Sequence, residues 1–305
     1  MPAVTWTGSL PGHVQYGDLL LGPGTSWSMT AQDPIQGWEE SVPSDTGTVL
    51  RAQQHGAIAG RILAQARTVT INLTGRCEPG QASLVIRQLT ALTSPVGAAE
   101  LPLVVQLDDT PLVAWGRVVR WAAPPSAAAR MGSLRGASLQ IVCTDPRRYS
   151  VAEQVASAVL PVGETGLSFG GPPEVGLSFG GPPEVGLSFG TPGSTGDLIA
   201  ANAGNEPTHP VIEIRGPVTT PTVTLGALRL EYGLTLGATD TLVIDTWAGT
   251  VTLGGQDRLY SATARSAPEG LFTLPPGTNT VSFRADPGST DPAAQATVRW
   301  RSAYL

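Results

Sequence analysis

Short runs in which apolar and polar residues alternate dominate the chain. Period-two alternation places one face of a strand against a core. In Arg67–Thr74 it sets Val69, Ile71 and Leu73 on one side, and Trp27 and Met29 flank a polar residue in the same manner. Leu101–Leu107, Ala114–Trp121 and Ser133–Thr144 (with Leu134, Leu139, Ile141 and Cys143) predict further strands. One stretch changes period. Within Pro79–Thr93, Ala82, Val85, Ile86, Leu89 and Leu92 recur at helical spacing, with Pro79 suited to the entrance and Ser94-Pro95 to the exit. Ala122–Ala129, rich in Ala and Pro, reads as an exposed hairpin tip or loop. Residues 1–155 therefore predict a β domain with one packed helix near residues 80–93.

From residue 199 to residue 305 strand follows strand. Pro210–Arg215, Ala227–Tyr232, Thr241–Asp245, Gly249–Gly254, Leu271–Leu274, Asn279–Arg284 and Ala296–Arg301 are short and separated by turn clusters. That spacing predicts a β-sandwich.

Between these regions the decapeptide GLSFGGPPEV begins at Gly166, recurs at Gly176 and returns truncated at Gly186, so Phe169, Phe179 and Phe189 lie ten residues apart. Such units are too short for propeller blades or helical repeats. Their Pro-Pro pairs favour an extended backbone rising about 3.1 Å per residue, which gives the repeats a reach of roughly 90 Å. Residues 156–198 are thus predicted to be an extended linker. Leu167, Leu177, Leu187 and the three phenylalanines are its candidate inter-subunit contacts, and a plain spacer is the competing reading.

Composition sharpens this picture. With 37 Gly, 27 Pro, 41% hydrophobic and only 14% charged residues, the 305-residue chain fits two β-rich domains and a connector. Every basic residue is arginine, which removes Schiff-base and phosphate-loop lysine chemistry. A net charge of −6 with scattered arginines argues against specific nucleic-acid binding. Cys77 and Cys143 read most simply as buried free thiols. The opening residues carry no basic region followed by an apolar run, and no apolar run is long enough for membrane insertion. Assembly in a cytoplasm is the expectation.

Candidate chemistry is sparse. His13, His55 and His209 lie in separate segments without metal-ligand spacing. Glu39-Glu40 and Asp108-Asp109 are adjacent carboxylates, whose side chains diverge on a strand, and Asp108–Thr110 suits a hairpin turn. No nucleophile elbow, zinc-protease or calcium-loop motif occurs. No catalytic residues, cofactor or metal are expected. Trp247, Tyr260 and Trp300 are candidate sugar-stacking residues, with core packing as the alternative. The corresponding alternative function is a carbohydrate-binding or adhesin module.

The order of local motifs resembles the distal tail proteins of siphophages. Asn202–Val211 (NAGNEPTHPV) followed by Gly216-Pro217, Leu253–Tyr260 (LGGQDRLY), Leu274–Val281 (LPPGTNTV) and Ala296–Tyr304 (ATVRWRSAY) carry the resemblance. Gln54–Gly56, the single helix and Thr144–Tyr149 (TDPRRY) extend it into the N-terminal region, and the LSFG repeats stand where such proteins carry a linker. The resemblance implies a virion tail-tip or baseplate component. Its N-terminal domains would form a homo-oligomeric ring, a hexamer, joining the tail tube protein to the tail-tip hub or tail-associated protein. The C-terminal sandwich would be galectin-like and project toward receptor-binding components, and a tape measure protein would be a further partner. Six copies would carry about −36, which suits a lumen that lets DNA pass.

Overall fold

The run Arg67–Arg76 forms a strand whose inward face is Arg67, Val69, Ile71, Leu73 and Gly75, in strict alternation. It belongs to the first of two units in the computed structural model, which describes residues 4–91, 99–124, 126–162 and 193–305. That unit comprises Met1–Ala152 together with Ala303–Leu305, and the second comprises Glu153–Ser302.

The first unit opens with β1 (His13–Tyr16), β2 (Leu19–Leu21), β3 (Trp27–Met29) and β4 (Ile35–Gln36). Four two-residue strands follow: β5 (Ser44–Asp45), β6 (Val49–Leu50), β7 (Ala57–Ile58) and β8 (Leu63–Ala64). Then come β9 (Arg67–Arg76), α1 (Ala82–Ala91), β10 (Leu101–Gln106), β11 (Leu112–Ala122), α2 (Ala127–Arg130), β12 (Ser133–Cys143) and β13 (Arg148–Ser150).

The main sheet runs β2-β1-β10-β11-β12-β9-β3, with β4 also on β9 and β13 on β11. Its end strands β2 and β3 are joined by the Gly22–Gly24 turn, so the sheet curls back on itself. Val69, Ile71, Leu139 and Ile141 line the inside of the curl, where Val85 and Leu89 of α1 complete the core. The helix therefore buries the stripe read from its spacing; Leu92 lies outside the described residues. On the other face a smaller cluster joins Val104, Val113, Trp115 and Tyr149 to Ala303 from the C-terminus.

The stretch Ala122–Ala129, read as a loop, contains part of α2. Ser126 caps this turn by accepting from the Ala129 amide at 3.2 Å, and its alanines favour helix.

The second unit contains β14 (Gln154–Val159), β15 (Asp197–Asn202), β16 (Val211–Arg215), β17 (Val218–Thr219), β18 (Thr222–Leu225) and β19 (Leu228–Glu231). It continues with β20 (Thr235–Leu236), β21 (Thr241–Asp245), β22 (Thr250–Leu253), β23 (Gln256–Asp257), β24 (Gly277–Arg284) and β25 (Gln295–Trp300); β26 (Ala303–Tyr304) returns to pair with β13. One sheet runs β14-β25-β16-β21-β22-β23 and the other β15-β24-β18-β19. Ile212, Ile214, Leu242, Ile244 and Val298 from the first share a core with Leu198, Val223, Val281 and Phe283 from the second. This is a β-sandwich.

Two features differ from the sequence expectation. Leu271–Leu274 is not a strand: a 3-10 turn occupies Glu269–Leu271, while Phe272 and Leu274 plug the core. The residues just past position 155 are not linker. β14 pairs with β25 along all six of its residues, and Leu160 enters the sandwich core. Val162 and Ser194 then exchange two backbone hydrogen bonds of 3.0 Å, so the chain leaves and re-enters the same unit around the repeats.

Candidate assembly site

Between β4 and β9 the chain forms a two-stranded ribbon whose residues are exposed among the described residues. β5 pairs with β8 (Ser44↔Ala64, Asp45↔Leu63), and β6 pairs with β7 (Val49↔Ile58, Leu50↔Ala57). Every residue from Pro43 to Ala66 is exposed. The exposed set includes Val49 at 63%, Leu50 at 81% and Ile58 at 59%, together with Ile62 and Leu63. At the waist the two strands approach through glycines: a Cβ on Gly60 would sit 2.2 Å from the Gly47 carbonyl oxygen, and Gly47 has φ +53°. Arg51 lies at the tip, where its backbone N–H donates to the Gly56 carbonyl and, among the described residues, its guanidinium bonds only Gln54 of the same turn, each at 3.3 Å.

The ribbon's root is held by a buried arginine. Arg67 Nε donates to the Pro146 carbonyl at 2.8 Å, and Nη1 donates to the carbonyls of Gly37 (2.9 Å), Trp38 (2.8 Å) and Glu40 (3.2 Å). Burial, with Arg148 nearby, pulls its pKa below the ordinary arginine value. The guanidinium thus ties the strap Gly37–Glu40 to β9 and fixes where the ribbon leaves the sheet. Beside that strap lies a cleft of about 290 Å³ lined by Trp38, Glu39, Val105, Leu107, Asp108, Asp109, Thr110 and Leu112. Trp38 is buried under the Arg148 guanidinium, which also reaches Glu39 at 2.8 Å. Asp108 and Asp109 are exposed in the β10–β11 turn, as their sequence suggests. The cleft has an apolar floor and an acidic mouth.

The aromatic candidates of the second unit separate. Trp300 is 5% exposed and its indole N–H donates to the Ala201 carbonyl at 2.9 Å, so it is a core residue and not a sugar contact. Ala296, Val298 and Trp300 share one face of β25, a parity already visible in the sequence. Trp247 remains 51% exposed in the β21–β22 turn, braced edge-on by the His209 ring at 5.0 Å, and Tyr260 is 75% exposed beneath the Arg258 guanidinium. Leu167, Phe169, Leu177, Phe179, Leu187 and Phe189 lie outside the described residues. The ribbon itself went unread in the sequence. Its one available signal is a run of exposed-type small residues interrupted by isolated Val, Leu and Ile.

The architecture is thus a curled β domain with one helix, a two-sheet sandwich and a ribbon exposed along its whole length. Residues 203–304 match the family model described as siphovirus-type tail component, C-terminal domain. The match covers the second unit's sandwich, about a third of the chain. Over 96% of its length the chain superposes on 99% of the SPP1 Dit (gp 19.1) protein, which is described as a paradigm of the hub adsorption apparatus in Gram-positive-infecting phages, with TM-score 0.62 and 14% identity. A chain of the phage P2 baseplate in its activated, calcium-bound conformation follows at TM-score 0.50 and 9% identity, covering 94% of this chain and 96% of that one. At these identities the likeness is one of fold. No curated protein sequence matches the chain.

Proposed function

We propose that the chain forms a homo-oligomeric ring, a hexamer, at the distal end of the tail tube. The ring joins the tube protein to the tail-tip hub and to receptor-binding components, with DNA passing through its lumen. The observation that carries this reading is the ribbon. An isolated two-stranded hairpin is marginal in water, and one exposing five large aliphatic side chains calls for a covering surface. A projecting element that meets a different patch on its neighbour makes a head-to-tail contact, and such contacts build a ring when the rotation between copies closes.

The DNA conduit rests on other grounds than the whole-chain charge. Residues 1–152 carry eleven arginines against ten carboxylates, while residues 153–305 carry seven against fourteen. The acidic excess therefore belongs to the second unit. A ring of first units is close to neutral, and it still lacks the clustered arginines that retain phosphates. The repeat-segment leucines and phenylalanines serve in this reading as contacts to a neighbouring copy. Trp247 and Tyr260, both exposed, each offer a ring on which a glycan could stack.

Analytical ultracentrifugation tests the ring. The full chain is expected to sediment as a hexamer, and a variant with residues 44–64 replaced by a short Gly-Ser turn as a folded monomer. A full chain that stays monomeric at high concentration and is absent from purified tails overturns the proposal.

A further inference from the structure

Within the ring reading, we infer that the ribbon tip of one copy docks into the ribbon-root cleft of the next, with Arg51 between Glu39, Asp108 and Asp109. Three observations converge on this pairing.

The first is charge. Arg51 has no ion-pair partner among the described residues, and neither do Asp108 and Asp109. Glu39 shares its carboxylate with Arg148 but keeps its side chain largely in solvent. The chain thus carries an unpaired guanidinium on a projecting tip and unpaired carboxylates around a cleft. Arginine is the side chain best matched to carboxylates by its fork of donors.

The second is shape and polarity. The cleft, at about 290 Å³, lies at the small end of the roughly 300–1,000 Å³ typical of ligand sites and has room for one long side chain. Its floor of Val105, Leu107 and Leu112 offers apolar surface to a methylene stem while the carboxylates face the head group. Leu50, next to Arg51 and highly exposed, lands on the rim.

The third is reach. The strap Gly37–Glu40 that walls the cleft runs directly into the ribbon, so cleft and ribbon root are neighbours. The arm from Ser44 to Ala52 spans up to about 30 Å at strand rise. Within one copy Arg51 and the cleft carboxylates form no ion pair among the described residues, so their pairing is assigned between copies, each of which offers one tip and one cleft. That is a heterologous interface, which propagates around a ring rather than ending at a dimer.

Charge reversal in two variants tests this inference. Arg51→Glu leaves the cleft acidic and makes the tip acidic; the double variant Asp108→Arg, Asp109→Arg leaves the tip basic and makes the cleft basic. Each alone is expected to raise the concentration for half-assembly at least tenfold in sedimentation velocity. Mixed in equal amounts they are expected to restore the parent assembly with both chains in a one-to-one ratio, because every tip then meets an opposite cleft. Thermal unfolding and the near-ultraviolet signal of Trp38 confirm that each variant is folded. If either variant assembles like the parent, or if two folded monomeric variants fail to co-assemble, the pairing is overturned while the ring reading stands. A parent chain that never assembles overturns the ring reading itself.

Discussion

Arg67 directs its donors to backbone carbonyls rather than to a carboxylate, and so a single side chain positions the strap, the cleft wall and the ribbon root. Its place was legible in principle. Residues 67, 69, 71 and 73 share the parity of the buried face, so the alternation that reveals Val69, Ile71 and Leu73 also turns Arg67 inward. The same parity turns Trp300 inward behind Ala296 and Val298. Trp247 sits in a turn, where parity says nothing and only the fold reveals its exposure. The cysteines follow from register. Cys143 lies opposite Arg67 on β9, whereas Cys77 follows Arg76 at the far end of the same strand, so about 30 Å of strand separates them. No disulfide can bridge that gap, and both thiols are free. Burial pushes the Cys143 thiol up to about 12, while Cys77 is partly exposed. At pH 8 the thiolate fraction of Cys143 is then on the order of 10⁻⁴. Ellman titration of the native chain is expected to modify one thiol promptly and the second only on unfolding. Two thiols reacting at one rate in the folded protein would contradict the assigned burial.

At the scale of elements, legibility tracks burial. β9, α1, β24 and β25 each have one face against a core, and the periodicity that burial imposes is readable. β14, with the sequence QVASAV, has only Ala158 fully turned into the core, so its strand pattern is faint and its sequence resembles a linker. The ribbon has no buried face at all within one chain, which removes the signal entirely. Its sequence follows the waist instead, where Gly47 and Gly60 permit the strands to touch. Gly60→Val is expected to splay the ribbon and weaken assembly at least tenfold. The melting temperature of the first unit should move by less than about 1 °C, because no core contact is lost. Concentration-dependent light scattering alongside calorimetry checks both halves of that statement. With both proteins compared at a concentration where each is monomeric, a fall of several degrees would mean that the ribbon packs on its own domain after all.

For the whole molecule, the consequential feature is how the chain is threaded. The repeats appear in the sequence as a boundary between two domains, because a Gly-Pro-rich array between two strand-rich regions reads as a connector. Local pattern cannot tell a tether from an insertion; only pairing can. β14 precedes the repeats and yet completes the sandwich sheet through six paired residues, and Val162 meets Ser194 across the excursion. The units are instead joined at residues 152–153, and again at 302–303, where β26 returns to β13 of the first unit. This threading predicts the fate of a nicked chain. A protease site placed within residues 171–180 and cut to completion breaks the polypeptide into a fragment ending after β14 and a fragment beginning before β15. With a tether, the cut would release two domains. With the pairing described, the first fragment keeps a strand inside the sandwich of the second, and the second keeps its last strand on the sheet of the first. Freeing either requires breaking the β14–β25 ladder and removing Leu160 and Ala158 from the core. The nicked protein is therefore expected to run as two bands in denaturing gels and as one peak, at the elution volume of the uncut protein, in size-exclusion chromatography. Two separate peaks under native conditions would return the repeats to the role of an interdomain linker.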